Sequence, residues 1–238
     1  MVEKGDKNIM TKVCVRQPGY LPYIGFFKKI ESSDVFVFLD DIQYEKNGFD
    51  NRNKIRTSEG FMWLTVPVNY KFGQFLNKIK IANNEDFCRK HRKAIKINYQ
   101  KAAFFSEYWN DIESILSQKW ELLIDLNIKL IEYFISKLDL STKTIKSSKL
   151  TIKKTGSEKL LEICRKLDAT TYLSGELGKN YLNEQIFHDS KIQVIYEKFE
   201  HPTYHQLNKT FIPNMSILDL LFNEGPNAIT ILKNSKNF

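Results

Sequence analysis

The sequence predicts an α/β fold: a mostly parallel, open sheet with a helical insertion. Three features predict it. Two short runs, 13–15 and 35–39, are apolar throughout, as inner strands of a sheet covered on both faces are. Between them, residues 24–32 have the spacing of a short helix, which gives a strand–helix–strand unit. Over the last hundred residues short helices and strands alternate again, the pattern of a sheet built from crossover units.

Taken in order, Val13–Val15 opens the sheet. Pro18, Gly19 and Pro22 fix a tight turn, and Gly25 falls at the start of the helix that follows. The second apolar strand ends in Asp40-Asp41-Ile42-Gln43-Tyr44. Residues 47–56, rich in Asn and Arg, read as a loop; 62–68 read as a strand, with another over 78–81. The middle is helical: 86–98 carries a basic face, and 104–116 and 120–138 show apolar residues at three- and four-residue spacing. A strand is then expected at 144–147, an amphipathic helix at 157–167, a short strand at 171–173, a helix at 180–188 and a strand at 192–196. Ser216 reads as the N-cap of a helix to Phe222, with Asp219 in its first turn. The expected organisation is a tail over 1–11, one α/β domain over 12–226 with a helical insertion at about 86–138, and a C-terminal tail over 227–238.

The 238 residues, 42% hydrophobic and 27% charged, suit a soluble globular protein able to bury a sizeable core. A net charge of +8 favours an anionic partner: a nucleotide, a nucleic acid or a membrane surface. Cys14, Cys88 and Cys164 are odd in number and widely spaced, without a CxxC pair, so they indicate neither a disulfide framework nor a zinc site. Residues 1–10 lack the apolar core of a signal peptide. The run 122–134 is interrupted by Asp125, Asn127, Lys129 and Glu132, so no membrane span is expected. These features read as a cytoplasmic protein.

Open α/β sheets bind ligands at the carboxyl ends of their strands. Arg16, Gln17 and Tyr20 follow the first strand, and Gly25 would let a ligand or a neighbouring backbone come close. A glycine-bearing turn at a helix start presents backbone N–H groups to a phosphate. Asp40 and Asp41 follow the second strand and are candidates to accept a proton, hold an amine or bind hydroxyls, with Gln43 beside them. Arg52, with Asn53, offers a planar fork for a phosphate or carboxylate. Ser174 and Gly175 end a third strand, with Tyr181 downstream. His201 and His205 stand at i,i+4 spacing, but Pro202 argues against a helix through both. They are candidates for a base or a substrate contact, and no metal site is expected. The basic face of 86–98 lacks the interleaved aromatic residues of a base-stacking surface, and His91 within it reads as solvated.

Together Gln17-Pro-Gly-Tyr-Leu-Pro-Tyr-Ile-Gly25, Phe36-Val-Phe-Leu-Asp-Asp-Ile-Gln-Tyr44, Asn51-Arg-Asn53, Trp63-Leu-Thr-Val-Pro67, Tyr172-Leu-Ser-Gly175 and Phe211-Ile-Pro-Asn-Met-Ser-Ile-Leu-Asp219 resemble the WbqC-like family, from about Val13 to Gly225. That family is typically encoded in bacterial gene clusters for O-antigen, the lipopolysaccharide side chain, and related surface polysaccharides. The resemblance implies handling of a nucleotide-activated or lipid-linked sugar. The order strand, glycine turn, helix, strand also resembles nucleotidyltransferase-like folds, in which a Rossmann-type strand order is possible. Those use a His-x-Gly-His signature for ATP phosphates. Here Pro22-Tyr23-Ile24-Gly25-Phe26 holds neither histidine.

The expected function is an enzyme of surface-polysaccharide precursor synthesis, a transferase acylating or aminoacylating a nucleotide-linked amino sugar. Arg16, Arg52 and the 17–25 turn would hold the diphosphate, and Asp40, Asp41, His201 or His205 would take the amine proton. The acyl donor and any cofactor stay open. The alternatives are a non-catalytic sugar-binding or scaffold protein, and a transferase drawing its group from aminoacyl-tRNA.

Overall fold

The computed structural model describes residues 10–82, 86–208 and 210–236. Residues 1–9 of the expected N-terminal tail lie outside them. The chain runs β1 (Lys12–Arg16), α1 (Ile24–Glu31) and β2 (Val35–Phe38), then leaves the sheet. The excursion holds β3 (Arg52–Thr57), β4 (Gly60–Thr65), β5 (Val68–Asn69), β6 (Lys80–Ile81), α2 (Phe87–Tyr99), α3 (Phe105–Ser117) and α4 (Leu123–Lys137). The chain returns as β7 (Lys143–Lys146), α5 (Gly156–Lys166), β8 (Thr171–Gly175), α6 (Glu184–Asp189) and β9 (Gln193–Glu197). It ends with α7 (Ile217–Glu224) and α8 (Ala228–Asn234).

The five-stranded sheet has the order β7-β2-β1-β8-β9, and every pairing in it is parallel. β1 is central. The chain winds outward from it through β2 to β7, then crosses back to β8 and β9 on the other side. The alternation of elements predicts the parallel sheet, and its strand order is doubly wound. Its direction of winding reverses between β1 and β8, and the carboxyl edge there is the crevice where such sheets take ligands.

Successive strand residues face opposite sides, and both sides are covered. Cys14, Phe36, Phe38 and Leu173 join the larger core with α1, α4 and α7. Val13, Val15, Val37 and Tyr172 join a smaller one, with Leu161, Ile163 and Cys164 of α5 and Phe187 of α6. Burial on both faces is the reason that β1 and β2 are apolar without alternation.

Three differences from the sequence reading have local causes. Residues 52–57, within the expected polar loop, form β3, an antiparallel ribbon with β4. Its two buried polar residues are bonded: the Asn53 amide donates to the Leu21 carbonyl at 2.8 Å, and the Arg56 guanidinium donates to the Thr210 carbonyl at 3.0 Å. Residues 228–234, expected in a tail, form α8, with Ala228 and Leu232 in the core. His91, read as solvated, is buried on the inner face of α2, with its Nδ1 2.9 Å from the Tyr20 hydroxyl.

Candidate functional site

The 17–23 turn is clamped from three sides. Tyr20 donates its backbone N–H to the Phe49 carbonyl, and the Asn127 amide donates to the carbonyls of Pro18 (2.9 Å) and Asp50 (2.7 Å). Gly19 is required there, because a Cβ would sit 2.7 Å from the Phe49 carbonyl oxygen. Leu21 is buried with φ of 45°, a region that bulky residues rarely enter. It is held there by the Asn53 bond. The turn thus spends its polar groups on the protein: Tyr20 is buried against His91, and Asn53 braces Leu21. Gly25 makes room for the Tyr23 ring, whose atoms lie 2.5–2.7 Å from where its Cβ would be.

Asp40 and Asp41 close the adjoining edge of the sheet. Buried Asp40 accepts from the Ser147 hydroxyl at 3.1 Å, the Ser148 backbone N–H at 2.9 Å and the Ser148 hydroxyl at 2.6 Å. Asp41 pairs with Lys159 of α5 at 2.7 Å and shares the single Ser147 hydroxyl proton with Asp40. Both carboxylates are occupied in tying β2 to the end of β7 and to α5.

The remaining polar groups converge at the reversal between β1 and β8. Arg16 ends β1 with its side chain exposed, and no hydrogen bond or ion pair holds its guanidinium among the described residues. Lys29 reaches the same place from α1. A Cβ on Gly175, at the end of β8, would lie 3.6 Å from the Arg16 guanidinium and 3.7 Å from the Lys29 ammonium. Gly175 therefore brings its backbone within ordinary contact distance of two cationic side chains. Lys29 also pairs with Glu197 of β9 at 3.2 Å, both side chains being buried. Ser174 is buried under the 3-10 turn Glu176–Asn180, its hydroxyl where a Gly178 Cβ would stand.

Tyr23 roofs this edge. Its hydroxyl is raised above the usual range by burial, with Arg16 partly opposing. Its ring meets Phe199 at 6.0 Å, and Phe199 meets His201 at 5.9 Å. His201 sits among Phe199, Tyr204 and Phe211, and burial holds its imidazole below the usual pKa, hence neutral. Its Nδ1 is 2.8 Å from the Pro202 carbonyl, so Nδ1 carries the proton, and Nε2 is buried without a partner.

Arg16, Ser174 and Gly175 thus meet at one edge, with His201 two ring contacts from Tyr23. The other sequence candidates lie elsewhere. Gln17 begins the clamped turn, and Gln43 is exposed and bridges to Phe75. Arg52 lies over the Trp63 ring at 4.5 Å. Tyr181 is exposed, and His205 is exposed with its backbone N–H on Glu224. Sequence reading missed Lys29, Tyr23 and Glu197. The two cations are distant in sequence, and an inward lysine in a short helix looks like any surface lysine. The available signal was Glu197 at the end of an apolar strand.

Burial raises the thiols of Cys14 to about 11 and Cys164 to about 12, and raises Cys88 as well. All three stay protonated near neutrality, which makes them poor nucleophiles. Among the described residues no cluster of three or more His, Cys, Asp or Glu side chains is placed to hold a metal ion, and no helix is long and apolar enough to cross a membrane.

Fold and edge together define a doubly wound α/β protein with Arg16 and the Lys29–Glu197 pair at its switch point. The chain belongs to the WbqC-like protein family, whose profile matches residues 17–231. It is also 36% identical over 228 residues to the uncharacterized protein Rv1507c of Mycobacterium tuberculosis, an alignment covering 94% of this chain and 98% of that one. No solved structure matches.

Proposed function

We propose that this protein is a transferase that binds a nucleotide-linked amino sugar at the β1/β8 edge and acylates its amino group during surface-polysaccharide precursor synthesis. The observation that carries this reading is the convergence of Arg16 and Lys29 beside Gly175 at the β1/β8 edge. An exposed arginine at the carboxyl end of a parallel strand, with a lysine of the following helix beside it, suits a diphosphate, which a planar guanidinium can grip through paired hydrogen bonds. Family membership supports the sugar, through the setting in which WbqC-like proteins are typically encoded.

His201 is the base in this proposal, which requires bound substrate to reach its buried Nε2. Its Nε2 lone pair is unpartnered, and the Nδ1 contact fixes the tautomer. The amine nitrogen attacks the acyl carbonyl and the bond from that carbon to its carrier breaks. The amine proton passes to Nε2 and then to the departing carrier. The proposal assigns Asp40 and Asp41 to holding the edge rather than to proton transfer.

Thermal unfolding against nucleotide-linked amino sugars, free nucleotides and acyl-CoA tests the binding step. A ligand at about 100 times its Kd stabilises by about 2.7 kcal/mol, and Tm rises by roughly 2–4 °C per kcal/mol for a chain of this size. The rise is expected with an amino-sugar nucleotide and lost in Arg16→Ala. Mass spectrometry of mixtures with acyl donors then reads turnover, expected to vanish in His201→Ala. The absence of any shift with nucleotide-linked sugars overturns the proposal.

A further inference from the structure

The outer face of the β3–β4 ribbon carries a second arrangement that the crevice does not use. Phe49 meets Trp63 at 5.9 Å, and Trp63 meets Phe61 at 6.5 Å. All three rings are well exposed, at 59%, 39% and 48%. Cations alternate with them: Arg52 lies over Trp63 at 4.5 Å, and Lys54 lies 4.9 Å from Phe61 and 5.7 Å from Trp63. Arg52 is aimed by the loop before the ribbon, donating to the carbonyls of Gly48 and Asn47.

Beside this face a hollow of about 310 Å³ lies between β4 and α2, walled by Trp63, Pro67, Phe87, Lys90 and Ala94. Lys93 and Lys96 follow Lys90 on the exposed side of α2 at three-residue spacing. By sequence the basic helix lacks aromatic partners; the fold supplies them by laying the ribbon alongside. Exposed acids nearby, Glu45 and Glu59, stand in flanking turns rather than among the rings.

We infer that this face binds single-stranded nucleic acid, with RNA as the probe. Every base offers a π-face to aromatic rings and to guanidinium planes, and lysines beside the rings meet the backbone phosphates. The cations among and beside the rings, together with the net charge of +8, complement a polyanion. A duplex keeps its bases stacked inside and offers the rings nothing. The inference stands apart from the sugar-nucleotide reading, since it uses none of the residues at the β1/β8 edge.

Fluorescence anisotropy of the full chain tests it, with a labelled single-stranded RNA oligonucleotide, the same RNA as a duplex, and vesicles containing anionic lipid. The single strand is expected to bind more tightly than the duplex. Its log K should fall linearly with log salt, by about 0.7 per phosphate neutralised. Trp63→Ala and Phe61→Ala should each weaken binding by about 5- to 150-fold, and Lys54→Gln should reduce the salt slope. Phe61→Leu keeps an apolar side chain without the ring, so its loss of affinity counts even if Trp63→Ala fails to fold. Equal affinity for strand and duplex, indifference to Phe61→Leu, or binding to vesicles alone overturns the inference.

Discussion

A methyl group at position 175 should separate binding from folding. Gly175 has φ of −77° and ψ of 159°, open to any L-residue, and its Cβ would make ordinary contacts with Arg16 and Lys29. Gly175→Ala is expected to change unfolding free energy by less than about 0.5 kcal/mol while abolishing the ligand-induced rise in Tm. Gly19→Ala, whose Cβ meets a backbone carbonyl, should cost about 1–3 kcal/mol in denaturant unfolding. Two buried titratable groups make a pH prediction. Burial raises Asp50 to about 6, so below that pH the native state holds a proton that the unfolded chain releases near pH 4, and stability falls as pH rises through this window. Burial lowers His91 to about 4, so the unfolded chain gains a proton below its ordinary pKa that the native state refuses, and stability falls as pH falls. The two slopes oppose each other. Asp50→Asn removes the first, so that variant should lose roughly 2–3 kcal/mol between about pH 6 and 4 while the parent changes little. A flat profile for the variant, by denaturant unfolding across this range, would deny His91 its buried neutral state.

Elements meet at the carboxyl edge through side chains that resemble catalytic ones in sequence. Paired aspartates after an apolar strand look like acid–base machinery until β7 arrives beside β2, bringing Ser147 and Ser148 to Asp40. Nothing near Asp40 in sequence announces those serines, so the pairing was not legible. Asp40→Ala should cost about 2–3 kcal/mol, because it removes three hydrogen bonds to a buried carboxylate and leaves their donors without it. Denaturant unfolding measures this loss, and turnover per folded molecule should survive if His201 is the base. The strand β1, the helix α1 and the strand β2 were legible because their apolar spacing is local. β3 was not, since its strand character comes from pairing with β4 and from the Asn53 bond to a turn more than thirty positions earlier. The candidate site divides in the same way: Arg16 and Gly175 are strand ends in the sequence, while Lys29 reaches them only through the pitch of α1.

At the scale of the whole molecule, alternation of helices and strands predicted a parallel sheet but not which strands are neighbours, because pairing β1 with both β2 and β8 joins segments far apart in sequence. The chain's last helix shows a related effect. Its sequence is short and half polar, and its place in the fold is set by what it covers. Ala228 and Leu232 of α8 are buried in the larger core, α8 packs on α1, and Lys28 of α1 donates to the Lys233 carbonyl at 3.0 Å. The neighbouring residue on α1 is Lys29, which lies beside Gly175 at the proposed binding edge, so α8 braces the helix that aims it. Leu232→Ala should therefore act twice. The cavity it leaves should cost about 2–5 kcal/mol of stability. At temperatures where the variant is still folded, ligand affinity should also fall, because α1 loses part of its support. Lys233→Ala is the matched control: the carbonyl that Lys28 uses belongs to the backbone and persists, so both quantities should stay near those of the parent. Paired unfolding and ligand-titration measurements separate the two effects. Lost stability with unchanged affinity would make α8 a cover for the core alone, with no part in positioning Lys29.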